Sequence, residues 1–318
     1  MPSANVNWPP ILVRQKPWYP GQPGVPGTDN TRGQRLGTNG VVFYVDPNAA
    51  GVSDLRDGTD PEGPLATVGK ALTLCRDYSN DTIIVAPSGY WRHADPTSSR
   101  IIPVREEVTI STPGVRLVGL MPSGSLGVPW GVTQDSGVAI TVNAMSVLIE
   151  GFNFWDIVYN NATAIGAYWT APAYGDNVTI RNNFFGDGLD YGVRLNFSYN
   201  TYIYDNTFQQ IAVAAINSID TLGDPDYTFI YGNRFNDNVA AIDLEDSSRC
   251  MIYDNMIMGD GTGTNNFIDL TGGSNNFVAN NYLACTLGAE YNLTCSDATS
   301  GAWVNNHCEN GDATLPPT

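Results

Sequence analysis

The chain has 318 residues, of which 42% are hydrophobic and only 15% are charged, with a formal net charge of −17. So acidic a balance argues against a nucleic-acid-binding surface, and no segment approaches the ~20 consecutive apolar residues of a membrane-spanning helix. We therefore expect no nucleic-acid partner and no membrane insertion. Residues 1–10 also lack a basic segment followed by an apolar core, so the sequence predicts no secretory signal.

The first 40 residues predict an extended arm rather than a folded domain. They are rich in proline and glycine, which cannot build a helix or a sheet ladder. Such an arm is either disordered or laid against another surface. Its aromatic residues, among them Trp8, Trp18 and Tyr19, favour the second alternative.

Residues 41–142 predict a capping helix and the first coils of a solenoid. A strand is expected at 41–45, an amphipathic helix at 64–77 and a second strand at 82–86. Short strands are expected to follow at 108–110, 115–118, 138–142 and 147–149. A helix packed across the first turn would shield the open end of a solenoid. Its apolar stripe consists of Val68, Ala71, Leu72 and Cys75.

Residues 143–310 carry a repeat in which an apolar residue is followed three positions later by an asparagine and then by a second apolar residue. Successive asparagines are 23, 27, 22, 26 and 25 residues apart. This spacing, in segments rich in β-branched residues, predicts stacked coils roughly 4.8 Å apart, followed by a tail at 311–318. Equivalent asparagines would then form a structural ladder, each side-chain amide bonding the next. The ladder residues are Asn183, Asn206, Asn233, Asn255, Asn281 and Asn306.

Four motifs near the start of the chain support a more specific interpretation. They are Phe43-Tyr44-Val45-Asp46-Pro47, Gly58-Thr59-Asp60, Pro64-Leu65-Ala66-Thr67-Val68 with Ala71-Leu72, and Asp81-Thr82-Ile83-Ile84-Val85 ahead of Gly89-Tyr90. Together with the coils they resemble right-handed parallel β-helix proteins of the pectate lyase-like superfamily, over about residues 41–310. The resemblance implies an all-β, right-handed parallel β-helix. It implies no single activity, because that scaffold carries lyases, hydrolases, binding proteins and phage spikes.

One outer face of the predicted solenoid is aromatic and apolar. Alternation points the repeated isoleucines inward and their two neighbours outward. Soluble monomers rarely expose so large an apolar patch, so we expect another subunit or the arm to cover it. An open surface for stacking sugars is the alternative. The residues concerned are Tyr202, Tyr204, Phe229, Tyr231, Met251, Tyr253 and Phe277.

A second outer face is polar and acidic. Its outward column is expected to contain Asn196, Asn217, Asp243, Asp269 and Asn292. Asp243 and Asp269 would lie on successive coils with backbones about 5 Å apart. They could act as acid and nucleophile of a retaining glycosidase, or bind Ca²⁺. We favour a third interpretation, a solvated Asn/Asp stripe, because the two residue types alternate freely at this position.

Other candidate sites are weaker. Arg181 and Arg194, with Asp187 and Asp190 between them in the same coil, could form a lyase cluster, although turns select aspartate for local hydrogen bonds. His93 and His307 are far apart in sequence and lack metal-ligand neighbours, so we expect no zinc and no resident cofactor.

Cysteines give little further information. Cys285, Cys295 and Cys308 lie in the last coils, where two of them could pair. Their wide spacing favours free thiols.

These features favour a structural virion protein of a bacterial virus over an enzyme. The chain is similar in outline to β-helix proteins encoded by tailed phages, which implies a spike, head fibre or capsid decoration protein. We expect a homotrimer that contacts other virion proteins through residues 1–40 and that could adhere to a surface polysaccharide. The expected location is the virion, with secretion as the alternative. The alternative function is a polysaccharide-degrading enzyme, either a glycoside hydrolase or a polysaccharide lyase.

Overall fold

Each regular coil of the chain contributes one strand to each of three parallel sheets, and successive coils add strands in chain order. The structure is a computed structural model that describes residues 40–49, 51–86, 104–120, 127–155, 162–168, 175–219, 224–259, 266–285, 295–297 and 302–308. The fold is an all-β parallel β-helix with very little helix, as the repeat predicts. No helix in the part that the structure describes is long and apolar enough to cross a membrane.

Sheet 1 has ten strands among the described residues, all parallel to their neighbours. Its strands are short because each one spans a single flat side of a coil. They are Val42–Val45, Thr82–Val85, Arg116–Gly119, Leu148–Glu150, Thr179–Arg181, Tyr202–Tyr204, Phe229–Tyr231, Met251–Tyr253, Phe277–Ala279 and Ala302–Val304.

Sheets 2 and 3 complete the coils, with nine and eight strands in the described ranges. Sheet 2 consists of Val104–Arg105, Val128–Gly131, Phe152–Phe154, Phe184–Phe185, Thr207–Gln209, Arg234–Asn236, Met256–Gly259, Tyr282–Cys285 and His307–Cys308. Sheet 3 consists of Val108–Ile110, Val138–Val142, Ala162–Tyr168, Leu189–Asn196, Ala214–Ser218, Ala240–Asp243, Asn266–Leu270 and Cys295–Asp297.

The core runs along the axis of the solenoid. Equivalent isoleucines of sheet 1, such as Ile203 and Ile230, are paired across neighbouring strands and fully buried. On the inner face of sheet 2, the rings of Phe185 and Phe208 stack with centroids 4.5 Å apart, and those of Phe208 and Phe235 with centroids 4.9 Å apart. Each such side chain contributes about 1.5–3 kcal/mol on burial. The regular repeat therefore gives one continuous hydrophobic core that extends along the solenoid axis.

The corner between sheets 1 and 2 depends on a left-handed residue placed directly before each ladder asparagine. Six residues occupy this position with φ between 52° and 64°. Glycine, asparagine and aspartate adopt this conformation at the lowest cost, and the position contains only these three types. The pattern is visible in the sequence but was not part of the repeat defined above. The six are Asn182, Asp205, Gly232, Asp254, Asn280 and Asn305.

Helix α1 spans Val68–Leu74, so the expected helix at 64–77 was too long at both ends. At its start, Leu65 is still extended, since its N–H donates to the Tyr44 carbonyl and its own carbonyl accepts from Asp46. Thr67 then caps the helix by accepting from the Lys70 N–H. Val68 and Ala71 are fully buried in the core, as the apolar stripe predicts.

The register of sheet 3 differs from the expected one at two coils. Arg194, not Asn196, lies opposite Asn217. In the last described strand, Ser296, not Asn292, lies opposite Asp269. A shift of an even number of residues leaves the inward and outward faces unchanged, so alternation alone could not detect it.

Several expectations concern residues outside the described ranges. The predicted arm at 1–40, apart from Gly40, and the predicted tail at 311–318 are among them. So is His93. Cys75 and Cys250 are free thiols. The side chains of Cys285, Cys295 and Cys308 lie outside what the structure describes.

Candidate functional site

The asparagine ladder forms a continuous hydrogen-bonded column at the corner between sheets 1 and 2. In a typical rung, the Asn206 Nδ2 donates to the Ile180 carbonyl of the preceding coil at 2.9 Å and to the Asn233 Oδ1 of the next coil at 3.1 Å. The Asn206 backbone N–H donates to the same Oδ1 at 3.0 Å. The first five ladder side chains are at most 3% exposed. Their polar groups are used within the fold, so the ladder is a structural element and not a site of chemistry.

The outer side of sheet 1 carries two columns of stacked side chains, which we call the aromatic face: Tyr202, Tyr204, Phe229, Tyr231, Met251, Tyr253 and Phe277. In the first column, Tyr202 stacks on Phe229 with ring centroids 4.8 Å apart. In the second, Tyr231 lies between Tyr204 and Tyr253 at 4.7 and 4.9 Å. The ring planes of each pair are parallel within 7°. The rings therefore cover one another's faces and present their edges and hydroxyls outward.

Burial within this stack raises the pKa of Tyr231 to about 12, and the neighbouring hydroxyls of Tyr204 and Tyr253 contribute to the same shift. The pKa of Tyr253 is also raised, chiefly by burial. Both phenols are therefore protonated at neutral pH. They offer a row of hydroxyl donors and acceptors rather than negative charge.

At the N-terminal end of the aromatic face lies a group of buried charges that we call the basic cluster: Arg116, Glu150 and Arg181. Arg181 Nε donates to Glu150 Oε2 at 2.6 Å, and Arg181 Nη1 donates to the Tyr204 hydroxyl at 2.9 Å. Alternation in the sequence predicts Glu150 and Arg181 in one outward column, and the structure confirms that they are paired on neighbouring strands. Arg116, on the strand before Glu150, was not predicted as part of this group.

The structure places Arg181 apart from the two aspartates with which it was grouped. Arg181 ends a strand of sheet 1, Asp187 is exposed in the turn after sheet 2, and Asp190 lies in a strand of sheet 3. Among the described residues the ion pair of Arg181 is with Glu150, and none joins it to either aspartate. The geometry gives no support to a lyase cluster at these positions.

The outer side of sheet 3 carries an acidic cluster, formed by Asp243, Glu245 and Asp269. Asp243 and Asp269 are paired on neighbouring strands, and one carboxylate oxygen from each of the three residues lies within 4.8 Å of the others. Carboxylate oxygens are the ligands that Ca²⁺ prefers. Two carboxyl groups this close are also compatible with the acid and nucleophile of a retaining glycosidase.

Hydrogen bonds and burial make the two aspartates of this cluster unequal. Burial raises the pKa of Asp243, the Asp269 carboxylate adds to the shift, and a hydrogen bond from Asn217 at 3.3 Å opposes it. Asp269 Oδ1 instead accepts from the Thr271 N–H at 3.0 Å and the Thr271 hydroxyl at 2.7 Å. Asp243 therefore keeps its proton to a higher pH than an ordinary aspartate does, and Asp269 is held in a fixed orientation.

Arg194 extends the acidic cluster's column toward the N-terminus, through the Asn217 position. Its guanidinium carbon lies 4.1 Å from the ring centroid of Tyr191. The sequence pattern predicts Asn196 in this column, so the pairing of Arg194 with Tyr191 was not foreseen. Arg194, Asn217, Asp243 and Asp269 therefore occupy one column on four successive strands, with the Tyr191 ring against Arg194.

The profile of the family described as "Protein of unknown function (DUF1565)" matches residues 50–314. No curated protein matches the chain. Among solved structures, the chain is similar to the GH136 lacto-N-biosidase from Eubacterium ramulus, with 10% sequence identity and a TM-score of 0.47. That match covers 76% of this chain and 56% of the other, so the chain spans little more than half of that protein's length.

Proposed function

We propose, from the premise that the chain belongs to the DUF1565 family of proteins of unknown function, that it is a structural protein of a bacterial virion. In this proposal it is a β-helical spike, head fibre or capsid decoration protein that assembles as a homotrimer. The observation that carries the proposal is the aromatic face of sheet 1. The stacking of its rings supports packing of this face against another subunit.

The stacking favours a protein partner over a sugar. A sugar ring binds an aromatic side chain through the open face of the aromatic ring. Both faces of Tyr231 are taken by Tyr204 and Tyr253. What remains outside is a flat ridge of ring edges beside Met251, which is 36% exposed. Such a ridge suits close packing against a similar flat surface.

The rest of the molecule suits a rigid shaft. The ladder joins six successive coils through buried hydrogen bonds, and the stacked phenylalanines fill the interior beside it. Coils that each contact only their neighbours build a quasi-one-dimensional body, as a shaft requires.

The virion location is the finer part of the proposal. It rests on the resemblance to β-helix proteins of tailed phages and on the ion pair of Arg181, which among the described residues is with Glu150 and not with Asp187 or Asp190. In this proposal residues 1–40 contact other virion proteins.

Size-exclusion chromatography with light scattering tests the assembly. The full chain at micromolar concentration should elute at three times the monomer mass. Replacing Tyr204, Tyr231 and Tyr253 together with serine should give a folded monomer. The control is Tyr282→Ser, which removes a half-buried tyrosine from the outer side of sheet 2 and should leave the trimer intact. A monomeric wild-type protein would contradict the proposal.

The virion location needs a separate test. Particles released by the source culture would be purified and probed with antibodies raised against the chain. Labelling of intact particles is the expected result. A trimer that is absent from such particles would leave the assembly standing and remove the virion role.

The acidic cluster supports a second candidate function, a polysaccharide-degrading enzyme. The observation in its favour is the raised pKa of Asp243 beside an oriented Asp269. Incubation with bacterial surface and pectic glycans, with and without Ca²⁺, would be followed by reducing ends and unsaturated products. Cleavage that is lost in Asp243→Asn and kept in Asp187→Asn would favour the polysaccharide-degrading enzyme over the structural virion protein.

A further inference from the structure

Arg194, on the outer side of sheet 3, is a cation that has no anionic partner in the described part of the chain. The structure has three ion pairs there, and none of them involves Arg194. The Arg194 Nε is buried and has no hydrogen-bond partner. The side chain as a whole is only half-buried, so a ligand can reach it. A buried donor is costly when it is left unpaired, and this one needs an acceptor from outside the chain.

Two tyrosines surround this side chain. The Arg194 guanidinium carbon lies 4.1 Å from the centroid of the Tyr191 ring. Gly166 is opposite Arg194 on the preceding strand, and a Cβ added at Gly166 would overlap the ring of Tyr168. The Tyr168 ring therefore lies over Gly166, beside Arg194. Burial raises the pKa of Tyr168 and the charge of Arg194 opposes that shift, so the phenol is protonated at neutral pH.

The site is rich in hydrogen-bond donors. Stacking on Tyr191 covers a face of the Arg194 guanidinium and leaves its edge, which carries the N–H groups. A planar guanidinium edge pairs best with a carboxylate, which accepts two parallel hydrogen bonds. The protonated hydroxyl of Tyr168 is a further donor. The site therefore favours a carboxylate group.

The acidic cluster in the same column limits what else the ligand can carry. Asp243 lies two strands beyond Arg194, with Asn217 between them. Two strand spacings amount to about 10 Å. A second carboxylate of the ligand at that distance would be repelled, whereas hydroxyl groups can donate to the carboxylates of the acidic cluster. Asn217 and Asp243 also suit the hydroxyls of a sugar better than the apolar side chains of a peptide.

We propose that Arg194, Tyr191 and Tyr168 form a binding site for the carboxylate of a sugar acid at the end of a glycan, with the neutral sugars of that glycan toward the acidic cluster. The inference deepens the second candidate function, because it names the ligand class of that face. It concerns binding alone, so it requires neither cleavage nor a virion role. The competing account is a water molecule that accepts from the Arg194 Nε.

The test is a saturation-transfer NMR titration of the full-length chain with three disaccharides. The first has glucuronate at its non-reducing end followed by glucose, the second has glucose at both positions, and the third has glucuronate at both. The single acid should bind at least about tenfold more tightly than the neutral disaccharide, because charge-assisted hydrogen bonds are strong. The double acid should bind more weakly than the single acid, because its second carboxylate faces the acidic cluster.

This comparison uses the wild type alone, so it does not depend on the folding of a variant. Equal affinity for the single acid and the neutral disaccharide, or no binding of either, is the result expected for a bound water. Either result would overturn the proposal.

Variants assign the preference to its residue. Arg194→Gln should lose the preference for the single acid and bind the neutral disaccharide as the wild type does. Arg194→Lys keeps the charge without the planar guanidinium, so it should keep only part of the preference. The matched control is Arg234→Gln, at an exposed arginine of sheet 2, which should behave as the wild type. A full preference in folded Arg194→Gln would contradict the assignment.

Binding and cleavage are read separately. Binding that depends on Arg194, with no cleavage of polysaccharides that end in the same acid, would support this site and count against the polysaccharide-degrading enzyme. A short peptide that binds more tightly than both the single acid and its own C-terminal amide would assign the site to a peptide terminus and overturn the proposal.

Discussion

At the scale of single residues, one side-chain amide of the ladder forms several hydrogen bonds between neighbouring coils. The Asn233 Oδ1 accepts from the N–H and Nδ2 of Asn206, and the Asn233 Nδ2 donates to the Ile203 carbonyl at 2.8 Å. The side chain is 2% exposed, so water cannot replace these partners. Removal of the amide leaves buried donors and an acceptor without a partner.

We therefore expect Asn233→Ala to lower the free energy of unfolding by about 2–4 kcal/mol. Asn236→Ala is the matched control in the same coil. Among the residues that the structure describes, the half-buried Asn236 side chain bonds to Asp237 alone, so its loss should change stability by less than about 0.5 kcal/mol. Urea denaturation of both variants measures the difference. Equal losses would show that the ladder amides add nothing beyond local turn geometry.

The shifted pKa of Asp243 predicts an effect of pH on stability. Its pKa is raised in the folded state, so at neutral pH the folded chain bears a penalty for the charge that the unfolded chain does not. As pH falls through the folded pKa, the folded state takes up the proton first and the penalty is relieved.

Asp243→Asn should accordingly be more stable than the wild type at pH 7, and the two should converge as pH approaches the unfolded value of about 3.9. Thermal unfolding between pH 3 and pH 8 would measure the difference in stability between the variant and the wild type. Asp187→Asn, at an exposed position, should have the stability of the wild type at every pH in this range. A gap that widens on acidification would contradict the assigned direction of the shift.

At the scale of elements, helix α1 depends on two carboxylates from outside the helix. Asp54 Oδ1 accepts from the N–H groups of Ala66 and Thr67 at 2.8 and 3.0 Å. Glu106 accepts from the N–H groups of Val68 and Gly69, both at 2.9 Å. A seven-residue helix has few internal hydrogen bonds, so its first turn needs these acceptors.

Asp54→Ala should cost about 1–2 kcal/mol, the usual range for a lost helix cap. Asp57→Ala is the control, because within the described part of the chain this exposed side chain bonds to Thr59 of its own turn and to no other residue's side chain. Amide hydrogen exchange would locate the effect: protection should fall in residues 66–70 for the first variant only. Uniform loss across sheet 1 would instead indicate that Asp54 supports the whole first coil.

The sequence predicted the strands of sheet 1 well and helix α1 poorly, for physical reasons. An isoleucine and an asparagine at fixed spacing leave only one register for sheets 1 and 2. The ends of helix α1 depend on Leu65 pairing with Tyr44 and on Asp54, which are tertiary contacts. The register of sheet 3 was ambiguous because Val193 and Leu195 are both apolar and inward. Asp243 with Asp269 and Glu150 with Arg181 were paired correctly, whereas Arg194 and Arg116 acquire their neighbours only in the folded chain.

At the scale of the whole molecule, the coils should be interchangeable units. Ile230 and Ile252 hold equivalent positions on neighbouring strands, and Asn233 and Asn255 are 22 residues apart. Deletion of residues 230–251 would join Phe229 to Ile252 and bring Asn206 opposite Asn255. In a solenoid, each unit needs only suitable neighbours.

This deletion should give a folded chain with one coil fewer, visible as a β-type circular dichroism spectrum and a single sharp thermal transition. Deletion of residues 230–240 removes about half a coil and puts every later inward side chain out of phase. That second chain should aggregate or remain unfolded. Similar behaviour of the two would mean that the coils are not modular.

The ladder also has a direction. In every rung the Nδ2 of one asparagine donates to the Oδ1 of the asparagine in the next coil, from Asn183 through to Asn306. The amide dipoles are therefore aligned head to tail, and aligned dipoles polarise one another. Each hydrogen bond in the ladder is strengthened by the hydrogen bonds on both sides of it. Identical asparagines therefore contribute unequally to stability: the loss of Asn233 in the middle should destabilise the ladder more than the loss of Asn306 at its end.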